Sequence, residues 1–405
     1  MNKSALIPKL FPKILMVCTE YPPMHGGVGR YTYNLTAALR RIGYDVIVAS
    51  NEMGDSDFSG LSPKHNDDSN LLLHLVDNIK PDIVHVQYEQ GMYGLVLNGL
   101  DPRKTHTNID SFYNDCKVPI VTTFHSGYTI KQWLDLSEST RSFQKPKFFS
   151  HNIFSTYWTS LLNYYSFHNL NKDKLAKSKF GIVFSNHMSK IVGGGRVVLH
   201  GAEPFLPTRK GKEEAREVFN LPKNKRIALA MGFINSTKGW DILEKINVPS
   251  GWCIVINSSY NHYSTKLPSR NVEKNGIIDL HLDYLSEEDL STLFASADAV
   301  VLPYKVCSGS GVMFDALAHG LPFVASNLEF FKEFSTKGLG IVVNRNSTAF
   351  AKGLEILDRE YDFYKHEVEN FRSNINWEKI AHEHSEIYSQ VLIGEAAIIA
   401  APITK

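Results

Sequence analysis

Residues 300–326 read VVLPYKVCSGSGVMFDALAHGLPFVAS, and they hold one complete unit of the architecture. Ala299 and the apolar start, closed by Pro303, predict a strand buried on both faces, as parallel strands are. Ser308, Gly309, Ser310 and Gly311 come next, small residues that let the backbone approach a ligand closely. Val312 to His319 have helical spacing, stopped by Gly320 and Pro322, and Phe323 to Ala325 resume the sheet. Strand, glycine loop, helix and strand belong to an open parallel α/β sheet. Such sheets bind ligands at the carboxyl ends of their strands, where a helix N-terminus attracts anions.

The same order appears near the start of the chain. Residues 13–18 (KILMVC) predict a strand, TEYPPMHGGVG occupies 19–29, and Tyr31, Leu35, Ala38 and Leu39 recur at helical spacing before Gly43. Gly26, Gly27 and Gly29 lack the GxGxxG spacing of a dinucleotide-binding turn. Apolar runs that read as strands recur at 81–89, 118–125, 180–186, 196–203, 226–233 and 251–257, and the first two end in polar residues. His125 closes one of them (VPIVTTFH), whereas His85 lies inside its run and reads as packing. Residues 51–70 are polar and predict a loop, in which Asp55 and Asp57 form the kind of acid pair that such loops produce by chance. No metal site is read from the sequence.

Length and composition narrow the class. At 405 residues the chain suits two or three domains, and 43% hydrophobic with 21% charged residues is ordinary for a globular enzyme. A formal charge of +1 argues against a nucleic-acid partner. Cys18, Cys116, Cys253 and Cys307 are scattered without metal-ligand spacing and read as reduced thiols, three of them buried. No run approaches the ~20 apolar residues of a membrane span, and the N-terminus does not read as a signal peptide. The expectation is a cytoplasmic protein. Residues 129–179 are helical in pattern and rich in aromatics; from 131 to 179 eight bases face three acids, a local net of +5. That mixture suits an acceptor pocket or peripheral contact with an anionic membrane through 131–179, at its inner face.

In order along the chain, GGVG, TFH, HG at 200–201, KG at 238–239 and SGSGVMFDALAHG resemble the retaining glycosyltransferase family 4, over residues 13–392. The resemblance implies a GT-B fold: two Rossmann-like parallel-sheet domains facing a cleft, with a C-terminal helix crossing back to the first. The boundaries it implies are 1–205 for the N-terminal domain, on the acceptor side, 206–375 for the nucleotide-sugar domain, and 376–405 for the returning helix and tail. Two positions depart from the family pattern. Its glycine loop is preceded by a Glu, where this chain has Cys307, and its Gly-Arg pair is here Gly232-Phe233. The second family carboxylate is present as Asp315.

The implied activity is metal-independent transfer of a sugar, with retention, from a UDP- or GDP-linked donor to the hydroxyl of a carbohydrate or lipid-linked acceptor. It needs no cofactor beyond that co-substrate. By resemblance Lys238 and His125 are the catalytic candidates: Lys238 would meet the departing diphosphate and His125 would face the donor sugar. Gly26, Gly27, Ser308, Gly309, Ser310 and Gly311 would contact phosphate or sugar through their amides, and Asp315 would accept from the ribose. The helix starts after Gly29 and Gly311 would add positive potential. A nucleotide-sugar-binding partner subunit with little catalysis is the alternative that Cys307 and Phe233 keep open. Another GT-B chemistry, an epimerase or a phosphorylase, is a weaker one.

Overall fold

The computed structural model describes residues 11–64, 68–143, 153–204, 211–235, 237–260, 276–280, 282 and 284–400; side chains of 138–156 and 395–400 are outside that description. It contains two parallel sheets. The first is built from β1 (Lys13–Val17), β2 (Asp45–Asn51), β3 (Phe58–Leu61), β4 (Ile83–Tyr88), β5 (Ile120–Phe124), β6 (Phe180–Val183) and β7 (Arg196–Val197). Its spatial order is β3-β2-β1-β4-β5-β6-β7. The second holds β8 (Arg226–Phe233), β9 (Trp252–Ser259), β10 (Ile277–Asp279), β11 (Ala299–Leu302), β12 (Phe323–Ser326) and β13 (Gly340–Val343), in the order β10-β9-β8-β11-β12-β13. Both are doubly wound. In the first, order reverses between β1 and β4, and in the second between β8 and β11. Ligand crevices of open α/β sheets lie outside the carboxyl ends of strands at such switch points. The two glycine-bearing loops, after β1 and after β11, leave the sheets there.

The strands read as apolar runs because both faces are covered. Ile14, Leu15, Met16 and Val17 of β1 are fully buried, as are all four residues of β11, and the buried side chains divide into a layer on each side of each sheet. The polar run 51–70 proves to hold β3 as well as a loop. That strand pairs with β2 at the sheet edge and buries only Leu61 well, so it leaves almost no apolar pattern to read. Asp57 accepts hydrogen bonds from Val48 N (2.8 Å) and Arg40 (2.9 Å), fastening the loop to the sheet and giving this aspartate a structural task.

Helix α1 (Gly27–Arg41) begins inside the glycine run, three residues earlier than the sequence suggests, with Gly26 as its N-cap. Helices α2 (Ile130–Phe143) and α3 (Ile153–Lys177) form the aromatic segment, α4 (Asn186–Val192) follows β6, and α5 (Gly311–Ala318) follows the second glycine loop. Helix α6 (Glu329–Ser335) follows β12. The last helix, α7 (Trp377–Ala400), packs on α1 of the first sheet unit rather than on the sheet that precedes it. Ile380, Ala381, Ile387, Tyr388 and Val391 make its helical apolar stripe, buried with Ile14, Tyr31 and Leu35. Tyr388 Oη lies 2.7 Å from His85 Nδ1, and Ser385 bonds Tyr44 at 2.7 Å. His85 is thus core and interdomain packing. Residue 206, where the sequence puts the domain boundary, lies outside the described residues.

Cys18, Cys253 and Cys307 are buried and Cys116 is half-buried, all as free thiols. Among the described residues no helix is long and apolar enough to cross a membrane.

Candidate active site

A cleft of about 890 Å³ separates the carboxyl edges of the two sheets. His125, Lys238, Gly26, Gly27, Ser308, Gly309, Ser310, Gly311 and Asp315, spread over 290 positions of sequence, all line it. The volume is in the range of small-ligand sites.

On the first-sheet side, the loop after β1 wraps a carboxylate that sequence reading passed over. Glu20 is 2% exposed, and its Oε2 accepts a hydrogen bond from Gly29 N at 2.9 Å. Burial raises its pKa, while the Gly29 and Val28 amides pull the other way. A Cβ on Gly26 would stand 1.7 Å from the Glu20 carboxyl carbon, so a side chain there would displace the clamp. This corrects the expectation for α1. Two of the amides at its start are directed at Glu20, leaving less of that helix end to address a phosphate.

His125 follows β5, and its Nε2 lies 2.9 Å from Gln87 Oε1. An amide oxygen accepts, so Nε2 carries the proton and Nδ1 is the acceptor. Gln87 is itself buried and directs its Nε2 to His85 Nε2 (3.3 Å) and Met16 Sδ (3.2 Å). A buried chain therefore runs from Tyr388 on α7 through His85 and Gln87 to His125. Burial, reinforced by the neighbouring His200, brings His125 down to about 3, and burial brings His200 to about 4. Both rings are neutral at pH 7. An unfolded chain protonates them near pH 6.5, whereas the folded chain does so only at those lower values. Their stabilising contribution is complete above about pH 6.5 and lost as pH falls through that window. Melting temperature is therefore expected to drop between pH 7.5 and pH 5, and to drop less in His125→Asn; an equal drop in the variant would contradict the assignment.

Glu89, at the end of β4, lines the same side. Its Oε1 accepts from Ser126 Oγ and its Oε2 from Met92 N, both at 3.2 Å, and burial raises its pKa. Oε2 thus caps the turn at Gln90–Tyr93 and Oε1 is tied to the loop after β5, so both oxygens are engaged within the protein, an arrangement unsuited to attack on carbon.

On the second-sheet side, the loops after β8 and β11 are stitched together. Lys305 N donates to Thr237 O at 2.7 Å, and Gly239, at φ +76°, packs directly on the Pro303 carbonyl. Between these contacts Lys238 extends into the cleft, its Nζ 3.9 Å from the centroid of the Tyr304 ring. The face of an aromatic ring attracts an ammonium, which places this cation at the cleft wall. Phe233 lines the cleft at the end of β8. Cys307 is 4% exposed, and burial pushes its thiol up to about 12, so this position is uncharged. Ser310 caps α5 by accepting from Met313 N at 3.2 Å, which commits its hydroxyl to the helix. The α5 start faces the other side of the cleft closely: a Cβ on Gly311 would lie 3.6 Å from His200 Nε2.

Several contacts bridge the two sides. Gln132 Nε2 donates to Cys307 O at 3.1 Å, and His25 stacks on Tyr284 at 3.8 Å. Glu333 of α6 accepts from the amides of Asn186 and His187 at the start of α4 (2.9 and 3.0 Å). Asp315 receives two hydrogen bonds from Arg30 of α1, at 2.9 and 3.2 Å. No sequence pattern points to that pairing, which joins residues 285 positions apart.

The aromatic segment divides. Trp133, Tyr164 and Phe167 form a small core, while Tyr157, Trp158 and Tyr165 are exposed. Lys174, counted by the sequence among the surface bases, is fully buried against Asp110 and Asp173 at 2.9 Å each, and Lys177 also pairs with Asp173. Arg141, Lys145 and Lys147 have side chains outside the described residues. Among the described residues no group of three or more His, Cys, Asp or Glu is placed to hold a metal ion.

Two family models match the chain: Glycosyltransferase Family 4 over residues 25–171, and Glycosyl transferases group 1 over residues 257–358. Among solved structures, HepE of Anabaena in complex with UDP-glucose is 13% identical, with 94% of this chain and 100% of that one covered at a TM-score of 0.64. Sucrose-phosphate synthase from Thermosynechococcus elongatus is 15% identical, with 95% and 100% covered at 0.63. The catalytic domain of starch synthase IV from Arabidopsis thaliana, bound to ADP and acarbose, is 12% identical, with 94% and 99% covered at 0.59. At these identities the likeness shows the fold. No curated protein matches the sequence.

Proposed function

The chain is a glycosyltransferase of the family 4, group 1 type with the GT-B architecture, and on that premise we propose that it transfers a sugar, with retention and without metal, from a nucleoside diphosphate to an acceptor hydroxyl. The observation that carries this reading is the gathering of all nine expected residues around one cleft at both switch points. Departure of the diphosphate from an oxocarbenium-like carbon is the difficult moment, and fixed positive charge aimed at the phosphates is the strongest available help. Lys238 and the amides at the start of α5 supply it. Asp315 accepts from the ribose, and His125, neutral and held by Gln87, offers Nδ1 to the sugar. Cys307 is a buried thiol and Glu89 a cap, so neither is offered as a nucleophile. A front-face displacement, in which the leaving phosphate takes the acceptor's proton, fits this set.

UDP-glucose in HepE and ADP in starch synthase IV support a nucleotide donor here, with UDP or GDP as the base we favour. Exposed Tyr157, Trp158 and Tyr165, with Lys131 and Lys172 nearby in sequence, support a carbohydrate or lipid-linked acceptor, met at the inner face of a membrane. The test is a thermal-shift screen against UDP-, GDP- and ADP-sugars, followed by transfer assays with and without EDTA. A ligand at 100 times its dissociation constant stabilises by about 2.7 kcal/mol. Activity is expected to survive EDTA; a strict Mg²⁺ or Mn²⁺ requirement would contradict the metal-free mechanism. Binding without turnover or donor hydrolysis would favour a nucleotide-sugar-binding subunit instead.

A further inference from the structure

We propose that Arg30 is a catalytic residue: it reaches across the cleft from the first turn of α1 to bind the leaving diphosphate opposite Lys238, and Asp315 holds it ready until the nucleotide arrives. This rests on the donor-site reading above.

Charge in the cleft is the starting point. Four carboxylates and three cations line it, so a polyanion finds a net-negative surface and depends on where the cations stand. Arg41 is exposed and eleven residues further along α1, about 16 Å of helix from Arg30. That leaves Arg30 and Lys238, on opposite sides. A single ammonium is a weak match for a diphosphate, whereas a guanidinium fork binds phosphate oxygens in pairs.

Geometry shows Arg30 already gripping an anion in that manner. Its NH1 and NH2 atoms reach Asp315 Oδ2 and Oδ1 at 2.9 and 3.2 Å, with the Asp315 side chain 9% exposed. Asp315 lies one turn into α5, whose N-terminus opens on the same cleft. A carboxylate has about four acceptor sites, so Asp315 can take ribose hydroxyls while keeping one guanidinium hydrogen bond. The freed N–H groups are then available to phosphate oxygens in the same cleft. Because Arg30 belongs to the first sheet unit and Lys238 to the second, a diphosphate held by both bridges the two sides of the cleft. The Glu333 contacts to the start of α4 and the Gln132 contact to Cys307 join the same two sides.

Calorimetric titration of wild type, Arg30→Ala, Arg30→Lys and Asp315→Asn with UDP, GDP and ADP, and with uridine, guanosine and adenosine, tests this. For whichever base binds, Arg30→Ala is expected to weaken the diphosphate by about 10- to 100-fold, the worth of a charge-assisted hydrogen bond. Nucleoside affinity should change less than about threefold. Donor hydrolysis should fall in kcat more than KM rises, with Arg30→Lys recovering part of the rate. Asp315→Asn should weaken nucleoside and diphosphate together. Equal losses for nucleoside and diphosphate in Arg30→Ala, or no loss for either, would make Arg30 a strut on Asp315 and overturn the inference alone. A wild type that binds none of the three diphosphates would overturn the donor-site reading and this inference with it.

Discussion

Lys238→Ala is expected to lower turnover on the order of 10²-fold or more, the typical cost of losing one preorganised charge-stabilising donor. The loss should fall on kcat, since the charge matters most as the diphosphate departs. Stability should scarcely change. Lys238 is placed by backbone contacts on either side of it, Thr237 O with Lys305 N and Gly239 with Pro303, none of which involves its side chain. Removing the ammonium leaves Tyr304 without its cation and little else disturbed. Steady-state rates beside a melting curve check both halves. Near-normal turnover would remove Lys238 from the phosphate site, and a lower melting temperature would mean that the side chain supports the loop.

Gly239→Ala is expected to have the opposite profile, a large loss of stability with activity following it. At φ +76° a non-glycine residue costs about 1–2 kcal/mol. A methyl group there would also stand 1.7 Å from the Pro303 carbonyl oxygen, which forces the loops after β8 and β11 apart at about 1–3 kcal/mol. Together these suggest about 3 kcal/mol, or roughly 6–12 °C in melting temperature for a unit of 150–250 residues. Turnover should fall as well, because Lys238 is carried on the displaced loop. An unchanged melting temperature would mean that the loops separate without cost.

The architecture was legible because parallel strands buried on both faces leave continuous apolar runs, and because glycine loops followed by helical spacing mark switch points. Residues 300–326 carried both signals, and the structure follows them almost residue for residue. Where burial was one-sided or brief the signal vanished, as at the edge strand β3. The candidate site was legible as a set of positions but not as a network. Asp315 was visible on its helix, yet nothing in the chain announces that Arg30 would hold it. Glu20 stood in plain view after β1, and only the close approach of Gly26 reveals its task. Lys174 shows the same limit from the other side: a charge count treats every lysine as solvated, whereas this one is buried against two aspartates.

A crystal structure with the sugar nucleotide selected by the binding screen tests the central claim most directly. The account predicts the diphosphate between the two sheets, within about 3 Å of Lys238 Nζ and of the first amides of α5, hydrogen-bond distance for charged partners. Phosphates outside the cleft, or inside it but beyond the reach of Lys238, would contradict it.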